Sequence, residues 1–175
     1  MIEGMSTRHA IVPTALGDLT AVVRAGGAGT SVLTGLYFPG HWTLPSGVDF
    51  GERDDQDALV GLLAQQLGQY LDGTRTGVDV PLALTGGEHH VRVWQRLRRI
   101  PYGATITYGE LATELGGAAQ AVGRAVGANP ISILVPCHRV IGSDGSLTGY
   151  AGGLERKRTL LALEEPGPGE RDALF

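Results

Sequence analysis

Apolar and polar positions divide the chain into two unlike halves. From Ile11 to Val23 apolar stretches flank Leu16-Gly17-Asp18, which predicts a β-hairpin with Leu19–Val23 as its second strand. Gly26 to Gly29 reads as a turn, and Ser31 to Phe38 as a further strand. Pro39 to Gly51, containing His41, Trp42 and Pro45, is a loop, with His41-Trp42 expected to pack at a sheet edge. Residues 1–8 have no periodicity, and Met5 is a second candidate start. Over 57–71, Leu59, Leu62, Leu63, Leu67, Tyr70 and Leu71 recur at helical steps and predict one apolar face. Asp54 and Asp55 suit the positive end of that helix, and Gly73 can stop it. Val78 to Leu84 predicts another strand, and Thr85-Gly86-Gly87 marks a boundary between residues 1–87 and 88–175.

The second half reads as mostly helical. Glu88 to Arg99 carries an apolar stripe of Val91, Trp94 and Leu97, with Arg92, Arg96 and Arg99 on another face. Those arginines form either a solvated face or a set of phosphate contacts. Pro101-Tyr102-Gly103 breaks the helix. Thr107-Tyr108-Gly109-Glu110 is a capping box that starts a new helix, which ends at Leu115. After Gly116-Gly117 a second short helix, Ala118 to Gly127, completes a helix-turn-helix pattern. It is built almost wholly of Ala, Val and Gly, with Gln120 and Arg124 one turn apart, so it can lie close against a partner helix or in a DNA groove. Ile131 to Val135 predicts a short buried strand, Gly142 to Ser146 a turn, and Thr148 to Leu154 the opening of a last helix.

Composition narrows the chemistry. The 175 residues have ordinary hydrophobic content, and no apolar run reaches membrane-spanning length. No basic-then-apolar leader ends in a cleavage site, and a single cysteine suits a reducing cytoplasm. Positive charge is carried almost entirely by arginine, a compositional bias. Net charge is −4 but unevenly spread: residues 1–85 hold 4 arginines against 9 acids, residues 86–163 hold 9 basic residues against 5 acids, and the rest 1 against 4. A basic middle between acidic ends is what contact with phosphates requires, although such asymmetry also arises in domains that touch no DNA.

There is one cysteine, so no internal disulfide and no cysteine-rich zinc site can form. It lies in Val135-Pro136-Cys137-His138-Arg139-Val140. A lone cysteine is more often a small buried hydrophobe than a nucleophile. Here a proline fixes its approach, and a histidine and an arginine follow it, a setting that favours thiolate.

This region resembles the methylated-DNA–protein-cysteine methyltransferases, the O6-alkylguanine-DNA alkyltransferases. The resemblance rests on Tyr102-Gly103 with Thr107-Tyr108, Ala121-Val122-Gly123, Asn129-Pro130, Pro136 to Val140, and Gly149-Tyr150 with Gly152-Gly153-Leu154, in that order over roughly residues 88–165. It implies an α/β (α+β) protein: a small ribonuclease-H-like sheet-and-helix domain, then a mostly helical domain with a winged-helix-like helix-turn-helix. It implies that O6-alkylguanine, chiefly O6-methylguanine and less firmly O4-methylthymine, is flipped from double-stranded DNA and loses its alkyl group irreversibly to Cys137, once per protein.

By the same resemblance His138 is the base, acting through a water. Glu164, with Glu165 as its competitor, orients that imidazole, and Asn129 braces the turn. Tyr108 donates to the flipped guanine, and Tyr150 with Ala151 lines the pocket wall. Backbone groups of Cys137 and Val140 read the guanine edge, Arg139 braces the two domains, and the helix bearing Gln120, Ala121, Gly123 and Arg124 enters the minor groove. No cofactor or metal is implied. The protein is expected to act as a monomer, with clustering along DNA as an option.

The chain departs from the family pattern at two points. Gln120 stands where an arginine usually fills the gap left by the flipped base, which implies weaker flipping or a replacement by Arg124. His89-His90 replaces a usual Phe-Gln pair, so the Trp94 helix is expected to be seated differently. The rival readings are a protein that binds and flags alkylated bases without transfer, and a cysteine hydrolase using a Cys-His pair.

Overall fold

The computed structural model describes residues 6–42, 44 and 49–167. The candidate start at Met5 and loop residue Pro45 lie outside the described residues.

The expected hairpin forms, but its first strand begins at Thr7, within the patternless stretch 1–8 and four residues before Ile11, because Thr7 and Arg8 pair with Arg24 and Val23. Strand β1 (Thr7–Val12) pairs antiparallel with β2 (Leu19–Ala25), and β2 with β3 (Ser31–Tyr37). A two-residue strand that the periodicity did not reveal, β4 (Glu52–Arg53), adds parallel to β1, giving the order β3-β2-β1-β4. Helix α1 (Ala58–Leu71) covers the sheet and buries Val60, Leu63, Leu67 and Tyr70. Leu62, assigned to the apolar face from its spacing, is 41% exposed, and Val60 takes its place. The cap is Asp57, whose Oδ1 accepts from the Leu59 and Val60 N–H groups, rather than Asp54 or Asp55.

Two expected strands shrink to single bridges. In Val78–Leu84 only Leu82 pairs, with Leu33, and in Ile131–Val135 only Ile131 pairs, with Leu36. Both bridges lie on the outer edge of β3, so segments from either side of residue 87 cover an edge that would otherwise present free backbone groups.

Beyond that edge the chain is helical: α2 (Glu88–Leu97), α3 (Tyr108–Leu115), α4 (Ala119–Gly127) and α5 (Leu154–Leu163). Helix α2 stops at Leu97, two residues before the expected end, and buries Val93 as well as Trp94 and Leu97. Trp94 Nε1 donates to Ala125 O at 2.7 Å, which fixes α2 against α4. The α3 capping box is present, with the Glu110 N–H on Thr107 Oγ1 and the Thr107 N–H on Glu110 Oε2, and Gly116 (φ 66°) ends the helix. Strands β5 (Ile106–Thr107) and β6 (Val140–Ile141), unforeseen because each is two residues long, pair in parallel. One continuous apolar cluster runs from Ala10 to Leu160 through both halves. Among the described residues no helix is long and apolar enough to cross a membrane.

Candidate functional site around Cys137

Two tight turns, rather than a strand, deliver Cys137. Leu134 N donates to Ser132 O across Ile133, whose φ is 71°. A β-branched residue is strained there, at a cost of about 1–3 kcal/mol that the surrounding packing must offset. Cys137 N then donates to Val135 O across Pro136 (φ −79°, ψ 65°), an inverse γ-turn that the proline ring pre-sets. Asn129 staples both turns: Oδ1 accepts from Ile131 N, while Nδ2 donates to Val135 O and lies 3.1 Å from Cys137 Sγ. Asn129 therefore braces the turn and also contacts the thiol directly, a role its position before a proline does not reveal.

Cys137 to Arg139 form a 3-10 turn that leads into β6. Because β6 pairs with β5, and β5 runs straight into α3, Tyr108 is held close to the cysteine turn. Its ring lies 5.9 Å from Lys157 Nζ, and its hydroxyl donates to Thr148 O at 3.5 Å. Burial raises the Tyr108 hydroxyl above its ordinary pKa, and a Cys137 thiolate would raise it further, so it stays a donor. Tyr150 is 3% exposed and edge-on to Phe38 at 6.2 Å. Its buried hydroxyl has no hydrogen-bond partner among the described residues. Gly152 must be glycine, because a Cβ there would lie 2.5 Å from the Phe38 ring. Ala151 is buried beside it.

Glu164, not Glu165, is the carboxylate of the site: it is 2% exposed, whereas Glu165 faces outward. Glu164 accepts from His138 Nε2 at 2.9 Å, from Arg139 Nη2 (2.7 Å) and Nε (2.8 Å), and from the Tyr70 hydroxyl. Burial alone would raise its pKa, but the bonds from His138 and Arg139 prevail and hold it far below the ordinary range. Burial pushes His138 below its ordinary value against the pull of Glu164, so the ring is neutral at neutral pH. With Nε2–H directed at Glu164, Nδ1 carries the lone pair, and it has no hydrogen-bond partner among the described residues. Arg139 also donates to Ile100 O at 2.6 Å, so among the described residues its hydrogen bonds stay within the second half, and the first half is reached only through Glu164, which accepts from Tyr70.

The charge that the sequence missed is Lys157, the only lysine in the chain. It is fully buried on α5, donating to Val140 O at 2.6 Å and Thr148 O at 3.0 Å. Burial lowers it to about 8, and a Cys137 thiolate opposes that drop. The apparent compositional bias contained the signal: one lysine kept among 13 arginines, where a compact ammonium is needed. Burial raises the Cys137 thiol despite the Asn129 contact and the Lys157 charge, so the resting sulfur keeps its proton.

The α4 residues fall apart from this cluster. Val122, Ala125 and Val126 face inward, while Gln120 and Arg124 are exposed and Ala121 and Gly123 are partly so. Of the α2 arginines, Arg96 pairs with Glu114 at 2.5 Å, leaving Arg92 and Arg99 exposed. His89 Nε2 meets Ala121 O at 3.4 Å, so the histidine pair adds a link between α2 and α4. The Val140 N–H is spent on Cys137 O and its carbonyl already serves Lys157, which leaves only the second lone pair of that carbonyl for a base.

A buried cysteine next to a His138–Glu164 pair, beside a helix-turn-helix, points to the class of DNA-binding proteins with a reactive cysteine. Residues 88–166 match the family model for the 6-O-methylguanine DNA methyltransferase DNA-binding domain. A methylated-DNA–protein-cysteine methyltransferase of Mycolicibacterium paratuberculosis is 55% identical over 65% of this chain and 70% of its own. The protein of that name from Mycobacterium bovis is 49% identical over 77% of this chain and 81% of its own. The Mycobacterium tuberculosis OGT, solved in complex with DNA, superimposes with a TM-score of 0.76 at 43% identity, covering 90% of this chain and 92% of that one. The chain belongs to the methylated-DNA–protein-cysteine methyltransferases, DNA repair proteins that take an alkyl group onto a cysteine.

Proposed function

We propose that this protein repairs O6-alkylguanine, mainly O6-methylguanine and secondarily O4-methylthymine, in duplex DNA by moving the alkyl group to Cys137. The observation that carries this reading is the Glu164–His138 pair set one residue from a thiol that Asn129 contacts at 3.1 Å. The thiol is buried, so the target nucleotide must leave the stack and enter the protein, at a cost of a few kcal/mol. The Cys137 proton passes through a bridging water to His138 Nδ1, and Glu164 stabilises the imidazolium that results. Lys157 favours the thiolate electrostatically. The sulfur attacks the alkyl carbon in line. The S–C bond forms as the C–O6 bond breaks, the electron pair leaves with guanine, and the Tyr108 hydroxyl meets the charge that develops on the base.

Gln120, Ala121, Gly123 and Arg124 hold the DNA, while Tyr150 and Ala151 wall the pocket. The division at residues 87 and 88 separates a sheet-and-helix part from the DNA-binding and active-site part. The protein works as a monomer in the cytoplasm. A thioether does not leave at neutral pH, so each molecule reacts once.

The test is mass spectrometry of the intact protein and its peptides after mixing with a duplex carrying O6-methylguanine. One methyl on the Cys137 peptide, saturating at one per protein, is expected. Lesion-dependent binding without that methyl would assign the protein to recognition alone, and repeated turnover would assign it to hydrolysis.

A further inference from the structure

Trp42 was expected to pack at a sheet edge, yet it is 61% exposed while its neighbour His41 is 5% exposed. His41 anchors the loop: its N–H donates to Phe38 O at 3.2 Å, its ring is edge-on to Tyr37 at 5.4 Å, and Nε2 meets Ser132 Oγ at 3.4 Å. The indole is therefore presented from a fixed base. Its Nε1 donates to Gly127 O at 3.4 Å, at the end of α4. Its far edge lies against Gly149, where a Cβ would sit 3.7 Å from the ring.

Trp42 thus stands between α4 and the loop that carries Tyr150. With Gln120, Gly123, Arg124, Gly127 and Ala128 it lines an open cleft of roughly 520 Å³. Gln120, Gly123, Arg124 and Gly127 lie on one side of α4 at steps of three and four residues, and Ala128 follows at its end.

We propose that Trp42 is a DNA contact supplied by the first half of the chain, a platform on which a base of the strand lying along α4 stacks. The inference rests on the DNA-repair reading. It adds a residue outside positions 88–166, where the family's DNA-binding region lies. Small residues on the α4 wall let a strand approach closely, Arg124 supplies charge for phosphate, and Gln120 supplies amide donors and acceptors. An aromatic face beside such a wall holds a base without reading its identity, which suits a repair protein that must meet lesions in any sequence. Because the indole also abuts Gly149, the stacked base is a close neighbour of the nucleotide that enters the pocket.

The chain has two tryptophans, which makes the test direct. Trp94 is 4% exposed and bonded to Ala125 O, so a DNA-dependent change in indole emission reports Trp42. The full chain is titrated with an undamaged duplex and with one containing O6-methylguanine, and methyl transfer to Cys137 is followed in the wild type. Quenching by both duplexes is expected, lost in Trp42→Leu. Trp42→Ala should weaken duplex binding by roughly 5- to 100-fold, as loss of one stacked base implies, with Trp42→Tyr restoring most of it. Unaltered Trp94 emission in the variants shows that they fold. Wild-type affinity in Trp42→Ala, or an emission change that follows protein concentration without DNA, would overturn the proposal. Quenching without methyl on Cys137 would overturn the transfer reading and keep the stacking contact. Transfer with unchanged Trp42→Ala binding would do the reverse.

Discussion

Lys157 and Glu164 show how differently single residues announce themselves. Glu164 follows an apolar run and sits beside an equally plausible Glu165; only burial separates the two. Removing its charge leaves the Arg139 guanidinium buried with neutral partners. Glu164→Gln should therefore cost about 3–5 kcal/mol of stability in denaturant unfolding and slow methyl transfer, because the His138 imidazolium loses its counter-charge. Lys157 is buried with its ammonium held by the Val140 and Thr148 carbonyls and beside the Tyr108 ring, where its charge acts on Cys137. Lys157→Met keeps most of the apolar stem but removes the charge, and it should slow methyl transfer to Cys137 by roughly 10- to 100-fold in single-turnover mass spectrometry.

At the scale of elements, capping and breaking signals were the most legible. The Thr107–Glu110 box, the Gly116 stop and the helix-turn-helix stand where the local chemistry places them. Short apolar runs were not legible. Ile131–Val135 has the composition of a strand, yet hydrogen bonds from Asn129 and the strained φ of Ile133 fold it into turns. Likewise, β5 and β6 exist only because they meet each other. Helix α4 carries a prediction of its own. Its outward face offers Gln120 and, one turn on, Arg124. If Gln120 limits flipping, Gln120→Arg should speed single-turnover repair severalfold; if Arg124 has taken over, Arg124→Ala should slow it by tenfold or more and Gln120→Arg should change little.

At the scale of the whole molecule, the two halves are joined through the reaction centre. The Tyr70 hydroxyl on α1 donates to Glu164 across 94 positions of sequence. Tyr70→Phe should cost about 1.5–3 kcal/mol, as loss of a hydrogen bond to a buried charge does. It should also raise the basicity of Glu164, which draws the lower limb of the pH–rate profile upward through His138. Acid should unfold the protein in two stages. His138, lowered by burial, and His41, lowered by burial to about 4, are neutral in the fold but protonate near 6.5 when unfolded, so stability falls as pH drops below about 6.5. Glu164 stays ionised in the fold far below the 4.5 of the unfolded chain, so a further loss sets in below about 4.5. Thermal melting from pH 7 down to about pH 2 checks both stages. The sequence by itself determined the helix-turn-helix, the basic segment around it and the single cysteine in its Pro-Cys-His-Arg setting, because residue type, capping chemistry and charge act locally, while the cysteine's role came from the ordered set of motifs. Tertiary structure alone decided which glutamate bonds His138, that the only lysine is buried where its charge acts on the thiol, and that Trp42 reaches the end of α4. Those outcomes depend on burial and on pairings between distant segments, which no local pattern encodes.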